Sequence, residues 1–371
     1  LASNNAFSDP VALLITPDHY ITRLLASQGV SYEALNIPTV KGSAGNKNSA
    51  EQIWQLLATH WVAFAGTPSR MWFEEILTEI FEINLPFTPE HAPRIFEEIS
   101  EKIASTHFRP QQLFEKFHIE LLATTDSTSD SLEHHHALLK TSLKSRVIPT
   151  FRPDDVSDPS RGDWSAALGK LEGSTNIEIS RFADLRTAVR KARNRFIDAG
   201  AKATDHGTPS PFTVEFSEVE KDQLFTELRS GVSTREKAEL FRGVMLMEHA
   251  QMSADDGLVM QLHPGSFRNY STAMFDKYGP DRGFDIPTKT EFTRNLHPLL
   301  NRFGFAEKFR LALFTLDEST YSRELAPLAG SYPSIKLGPP WWFHDSPEGM
   351  LRFRRAATET AGFYNTVGFN D

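Results

Sequence analysis

The sequence predicts an α/β protein of the (β/α)8, TIM-type barrel class, and three observations predict it. Short apolar runs alternate with helix-length amphipathic segments over the last two thirds of the chain. The runs are mostly continuous rather than alternating, as in parallel strands buried on both faces. Their C-terminal ends carry Asp, His and Arg, and barrels of this type collect their chemistry at that end of the strands.

The 371 residues suffice for one large barrel with an insertion. With 40% hydrophobic and 23% charged residues the composition is globular. A net charge of -9 argues against nucleic acid or an anionic membrane as partner, because phosphates repel an acidic surface. The chain has no cysteine, which rules out disulfides, thiolate metal sites and a Cys nucleophile. Apolar stretches such as 11–15 are too short to span a bilayer. No signal peptide precedes them, so the expected location is cytoplasmic. Without an initiator Met, Leu1 is read as a point inside a longer chain.

The first third reads as helical. In 50–65, Ile53, Leu56, Leu57, Trp61 and Phe64 recur at helical spacing and Gly66 follows as a stop. Segments 70–83 and 89–104 repeat the pattern. Three successive helices exceed one crossover and predict a helical insertion between strands 1 and 2. Strand 1 itself is then expected before Leu1. The expected division is a helical region over 1–117 and barrel strands 2–8 over 118–371.

The strand-like runs are 119–123, 147–151, 201–204, 258–262, 311–316, 335–337 and 367–369. Helical patterns fill the spaces between them, over 182–198, 234–254, 290–303 and 347–360. Seven runs are one short of a closed barrel. A doubly wound open sheet is the rival, but no Gly-rich phosphate loop follows any run.

The run ends are polar: Thr124-Thr125-Asp126, Arg152-Pro153-Asp154, Asp205-His206-Gly207, His263-Pro264-Gly265 with Arg268 and Asn269, Asp317-Glu318, Trp341-Trp342 with His344 and Asp345, and Asn370-Asp371. Helix caps and turns account for single Asp residues. They do not account for Arg152, His206, His263 and paired Trp together. His and Asp are ligands for a hard or borderline metal, and Arg offers a planar fork to a carboxylate. Trp stacks on a sugar ring or walls a site. His134-His135-His136 is set aside as surface, since consecutive helical residues point about 100° apart and cannot converge on one ion. Arg323 and Glu324 are read as a surface pair.

These motifs resemble the uronate isomerases of the amidohydrolase superfamily. Asp18-His19-Tyr20 with Arg23 is similar to that family's Asp-His-Tyr segment, and the strand-end motifs follow in the family's order along nearly the whole chain. The resemblance implies isomerisation of D-glucuronate to D-fructuronate and of D-galacturonate to D-tagaturonate. It also implies a divalent metal, commonly zinc, held by a His-x-His pair on strand 1 and an Asp on strand 8. The His pair is expected upstream of Leu1. Asp371 is the strand-8 ligand or its immediate neighbour, and the C-terminal helices beyond it are absent from this chain.

Interconverting an aldose and a ketose through an enediol needs a proton-transfer group, a donor near the oxygens and a hold on the carboxylate. The expected catalytic groups are His19, Tyr20 and Arg152. His206, His263, Arg268, Trp341 and Trp342 are expected to contact substrate. Each has a structural alternative: a buried Arg152–Asp154 pair, a helix start at Asp18, and packing for the rest. A metal-dependent hydrolase of the same superfamily and a non-catalytic sugar-acid binder are the competing functions. A homo-oligomer is expected.

Overall fold

The computed structural model describes all residues except 43–47, 341–343 and 368–371. The chain forms two compact units. One comprises 1–119 and 267–286, the other 120–266 and 287–371. The excursion of 267–286 is not contained in a single division at 117/118.

The first unit is built from helices. Helix Ala50–Thr59 starts on a Ser49–Gln52 capping box. The segment expected over 50–65 breaks after Thr59 into a 3-10 turn, Trp61–Phe64, and Gly66 closes it at φ +80. Pro68–Glu75 runs on into a π turn, Ile76–Ile80, and Ala92–Ala104 is the third helix. Apolar residues on one face of each helix bury Trp54, Trp61, Phe73 and Phe87 together, with ring centroids 4.9–5.7 Å apart. Trp54 Nε1 donates to Ala92 O at 3.0 Å, so the buried indole is satisfied.

The second unit contains a six-stranded parallel sheet. Its strands are β1 (Leu122–Ser127), β2 (Val147–Arg152), β3 (Ala203–His206), β4 (Val259–Leu262), β7 (Leu311–Leu313) and β8 (Ile335–Leu337), in the order β1-β2-β3-β4-β7-β8. Two-residue strands β5 (Ser266–Phe267) and β6 (Ile286–Pro287) fall where the chain leaves and re-enters this unit. Spatial order follows chain order throughout the six. That is the winding of a barrel wall; a doubly wound sheet reverses part-way. At the far edge Thr366 bridges Leu337 in parallel, where the seventh run begins; residues 368 and 369 of that run lie outside the described residues.

β2 is buried along five of its six residues, as a strand covered on both faces should be. β1 differs. It begins at Leu122 rather than at 119, continues through Thr124-Thr125-Asp126, and alternates half-buried with exposed. Among the described strands it has one neighbour, β2, so its polar residues sit within the strand rather than after it.

Helices Phe182–Asp198, Arg235–Asp256 and Pro347–Ala361 stand near where periodicity predicts them. The segment expected over 290–303 is shorter, His297–Phe303. Its first residues are held otherwise: Glu324 Oε2 accepts from Phe292 N at 2.6 Å and Thr293 N at 2.9 Å. Glu324 is therefore a buried anchor, which corrects the surface reading of the Arg323–Glu324 pair. His135 is likewise buried, with Nε2 2.8 Å from Thr124 Oγ1, while His134 and His136 are exposed as expected. Among the described residues no helix is long and apolar enough to cross a membrane.

Candidate active site

In the second unit the ends of β2, β3 and β4 bring four charged or titratable side chains into one chain of contacts. Arg152, the last residue of β2, donates from Nε to Asp154 Oδ2 at 2.7 Å. Its Nη1 lies 3.4 Å from Asp205 Oδ2 on β3. The other oxygen of Asp205 is 2.8 Å from Nε2 of His263, just past β4. Asp205 thus bridges a guanidinium and an imidazole. Both oxygens of Asp154 also accept from Gly207 N at 3.1 Å. Burial pushes the Asp154 carboxyl above its ordinary range, and Arg152 opposes that shift.

Successive residues of a strand face opposite ways. Asp205 meets Arg152 and His263, so His206 faces away from them. Its Nε2 is 3.0 Å from Thr204 Oγ1, and its ring lies 4.8 Å from that of His249 on helix Arg235–Asp256. His249 Nε2 is 3.2 Å from Ser157 Oγ. Burial lowers both histidines, His206 well below the ordinary value and His249 to about 3. Burial thus favours the neutral form of both, and the two rings pack against each other.

The loop after β4 is shaped by Gly265. Its φ is +94, and a Cβ there would fall 2.2 Å from Thr290 Oγ1. Gly265 N donates to Thr208 O at 3.2 Å, which ties this loop to the one after β3. Asp317, after β7, accepts from Ser319 N and Thr290 N and serves as a cap. His344 contacts Glu318 at 3.0 Å through Nδ1 and Leu316 O at 2.9 Å through Nε2.

In the first unit, Asp18 caps helix His19–Ser27 by accepting from Tyr20 N at 2.8 Å and Ile21 N at 3.2 Å. The cap holds the half-buried rings of His19 and Tyr20 side by side, with centroids 4.7 Å apart at 23°. Arg23 lies 5.6 Å from the Tyr20 ring, and Trp72 meets it edge-on at 6.4 Å. Burial lowers the His19 pKa, so its neutral form is favoured. Arg268 pairs with Asp285 at 2.8 Å, and Asp285 also accepts from Asn269 N at 2.7 Å.

The sequence places Arg152 and His263 at strand ends, but no signal in it marks Asp205 as the residue that joins them or Asp154 as more than a pair for Arg152. His249 carried no signal, sitting mid-helix in an apolar stretch. Trp341, Trp342 and Asp371 lie outside the described residues.

A sequence model of the family described as glucuronate isomerase matches residues 1–369. The chain belongs to the glucuronate isomerase family. A uronate isomerase of Rhizorhabdus wittichii is 50% identical over 370 residues, covering 100% of this chain and 78% of that protein. The crystal structure of the glucuronate isomerase from Caulobacter crescentus superposes with a TM-score of 0.97 at 46% identity, covering 100% of this chain and 77% of that one. The uronate isomerase structure from Thermotoga maritima gives 0.92 at 27% identity, over 99% and 79% of the two chains. The fold thus holds its shape down to 27% identity.

Proposed function

We propose that this glucuronate isomerase family member interconverts D-glucuronate with D-fructuronate, and D-galacturonate with D-tagaturonate, as an aldose–ketose isomerase. The observation that carries the reading is family membership over essentially the whole chain, with Arg152 and His263 held on one carboxylate at the strand ends.

In the aldose-to-ketose direction the proton on C2 is removed and one is delivered to C1, while the O2 proton leaves and O1 gains one. An enediol stands between the two sugars. Arg152 holds an anionic oxygen of the substrate. In the first unit His19 and Tyr20 are the proton-transfer groups that the family resemblance implies, and the neutral form favoured for His19 suits a proton acceptor. His263 orients the sugar; Arg268, Trp341 and Trp342 are further substrate contacts that the family resemblance implies. The closed eight-stranded barrel, with strand 1 before the helical region, belongs to this same proposal, as does assembly into a homo-oligomer.

The resemblance implies a divalent metal, zinc in the first instance. Among the described residues no three His, Asp or Glu side chains converge. Those residues do not by themselves fit the ion, and no step here is routed through it. Asp371 is the proposed ligand from this chain.

The test is incubation with D-glucuronate, with and without a chelator, following ketose formation. Ketose production supports the reading. No ketose from folded, metal-supplemented protein overturns it. Chelator sensitivity decides whether metal assistance belongs to it.

A further inference from the structure

Gly207 poses a question that backbone geometry does not answer. It is not among the glycines with positive φ, so the chain path there does not demand glycine. Space does. A Cβ on Gly207 would lie 2.6 Å from Arg152 Nη2, 2.7 Å from His263 Cε1 and 3.0 Å from Asp154 Oδ2. Three side chains from the ends of β2 and β4 rest on one bare Cα just past β3. Close approach of this kind is the other reason a chain uses glycine.

Asp154 completes the arrangement from below. Its carboxylate takes the Nε edge of Arg152 at 2.7 Å and the Gly207 N–H with both oxygens at 3.1 Å. It is 15% exposed, so these partners matter to its charge. An arginine side chain has much rotamer freedom to lose before it can hold a ligand in one geometry. A carboxylate fixed to the neighbouring strand end removes that freedom before substrate arrives.

We propose that Asp154 and Gly207 are positioning residues: together they form a shelf that sets the orientation of Arg152 and its separation from His263. The inference rests on the reading of Arg152 as the ligand of a substrate anion. Asp154 acts through Arg152 and touches no substrate. Gly207 acts by what it lacks.

The test is a double-mutant cycle in the intact protein, read as kcat/KM for D-glucuronate. The variants are Asp154→Asn, Gly207→Ala, Arg152→Met and the two doubles with Arg152→Met. Asp154→Asn keeps the size of the side chain but loses the charge, and should lower kcat/KM about tenfold or more in the otherwise unaltered protein. In the Arg152→Met background the same change should cost less than about twofold, because the group it positions is gone. A purely structural loss would multiply equally in both backgrounds, and that result overturns the proposal. So does an Asp154→Asn enzyme with unchanged kinetics. If Arg152→Met itself shows unchanged kinetics, the reading of Arg152 fails and takes this inference with it, which separates the two failures. If Asp154→Asn does not fold, Gly207→Ala is read in the same two backgrounds by the same criterion. Its expected loss is about tenfold in the first and smaller in the second, where the contact with Arg152 Nη2 is gone and only those with His263 Cε1 and Asp154 Oδ2 remain; an equal loss in both overturns the proposal.

Discussion

In the unit of 1–119 and 267–286, Trp54, Trp61, Phe73 and Phe87 pack ring against ring, and the polar side chains buried among the described residues are Thr22, Ser69 and Asp285. The unit of 120–266 and 287–371 also has an apolar interior, but it buries Arg193, Glu248, Glu324, His206, His249 and His263 as well. The first unit sets its candidate residues His19 and Tyr20 at a capped helix start. The second pins its candidates with ion pairs and backbone donors at strand ends. Apolar packing tolerates displacement in proportion to volume. A buried charge tolerates almost none, because a partner lost leaves the full desolvation cost. The second unit is therefore the better place to hold a guanidinium and an imidazole in a fixed relation.

The largest expected effect tests the ring-packed side of this comparison. Trp54→Ala removes an indole that is 1% exposed and should cost about 3–5 kcal/mol of stability. Denaturant titration checks it, and a loss below about 1 kcal/mol would show that the rings are not what holds the unit.

Next comes Arg152→Met. It should lower kcat/KM with uronates by about a hundredfold or more, equivalent to roughly 3 kcal/mol. Steady-state assays with unchanged kinetics would remove Arg152 from the site.

A smaller effect concerns pH. The folded protein keeps His249 neutral down to about 3, whereas the ordinary value is 6.5. Between these values the unfolded state binds the extra proton, so stability falls as pH drops below about 6.5. The slope is up to about 1.4 kcal/mol per pH unit for one histidine, and His206 shifts in the same direction. Unfolding midpoints measured from pH 7 to 4.5 should fall less steeply in His249→Gln. Parallel curves would mean that this pair is not the acid-sensitive element.

The smallest effect is a control. Arg94 and Glu98 form a surface pair one helical turn apart at 2.9 Å. Arg94→Ala should change stability by less than about 0.5 kcal/mol. A larger loss would show that surface charge contributes more to the ring-packed unit than the comparison allows.

Much of this was legible beforehand where local physics decides it. Helix Phe182–Asp198 is announced by Leu185, Val189, Ala192 and Phe196 on one face. Runs such as 147–151 announce β2 because a strand covered on both faces can be apolar throughout. The end of β1 is not legible because its strand continues into Thr and Asp, and hydrophobicity does not mark that part of its path. Segment 290–296 looked helical, yet Glu324, some thirty residues away, holds its backbone N–H groups instead.

The sequence by itself determined the helical first third, the strand–helix rhythm that follows, and the candidates Arg152 and His263 at strand ends, because periodicity and polarity are local properties. It could not determine that Asp205 would join those two while His206 turned to His249, or that Gly207 would be bare because three side chains needed its place. Those facts depend on register between strands more than fifty residues apart in the chain. In a parallel sheet a shift of one residue exchanges the two faces, so only the assembled β2, β3 and β4 decide which side chains meet.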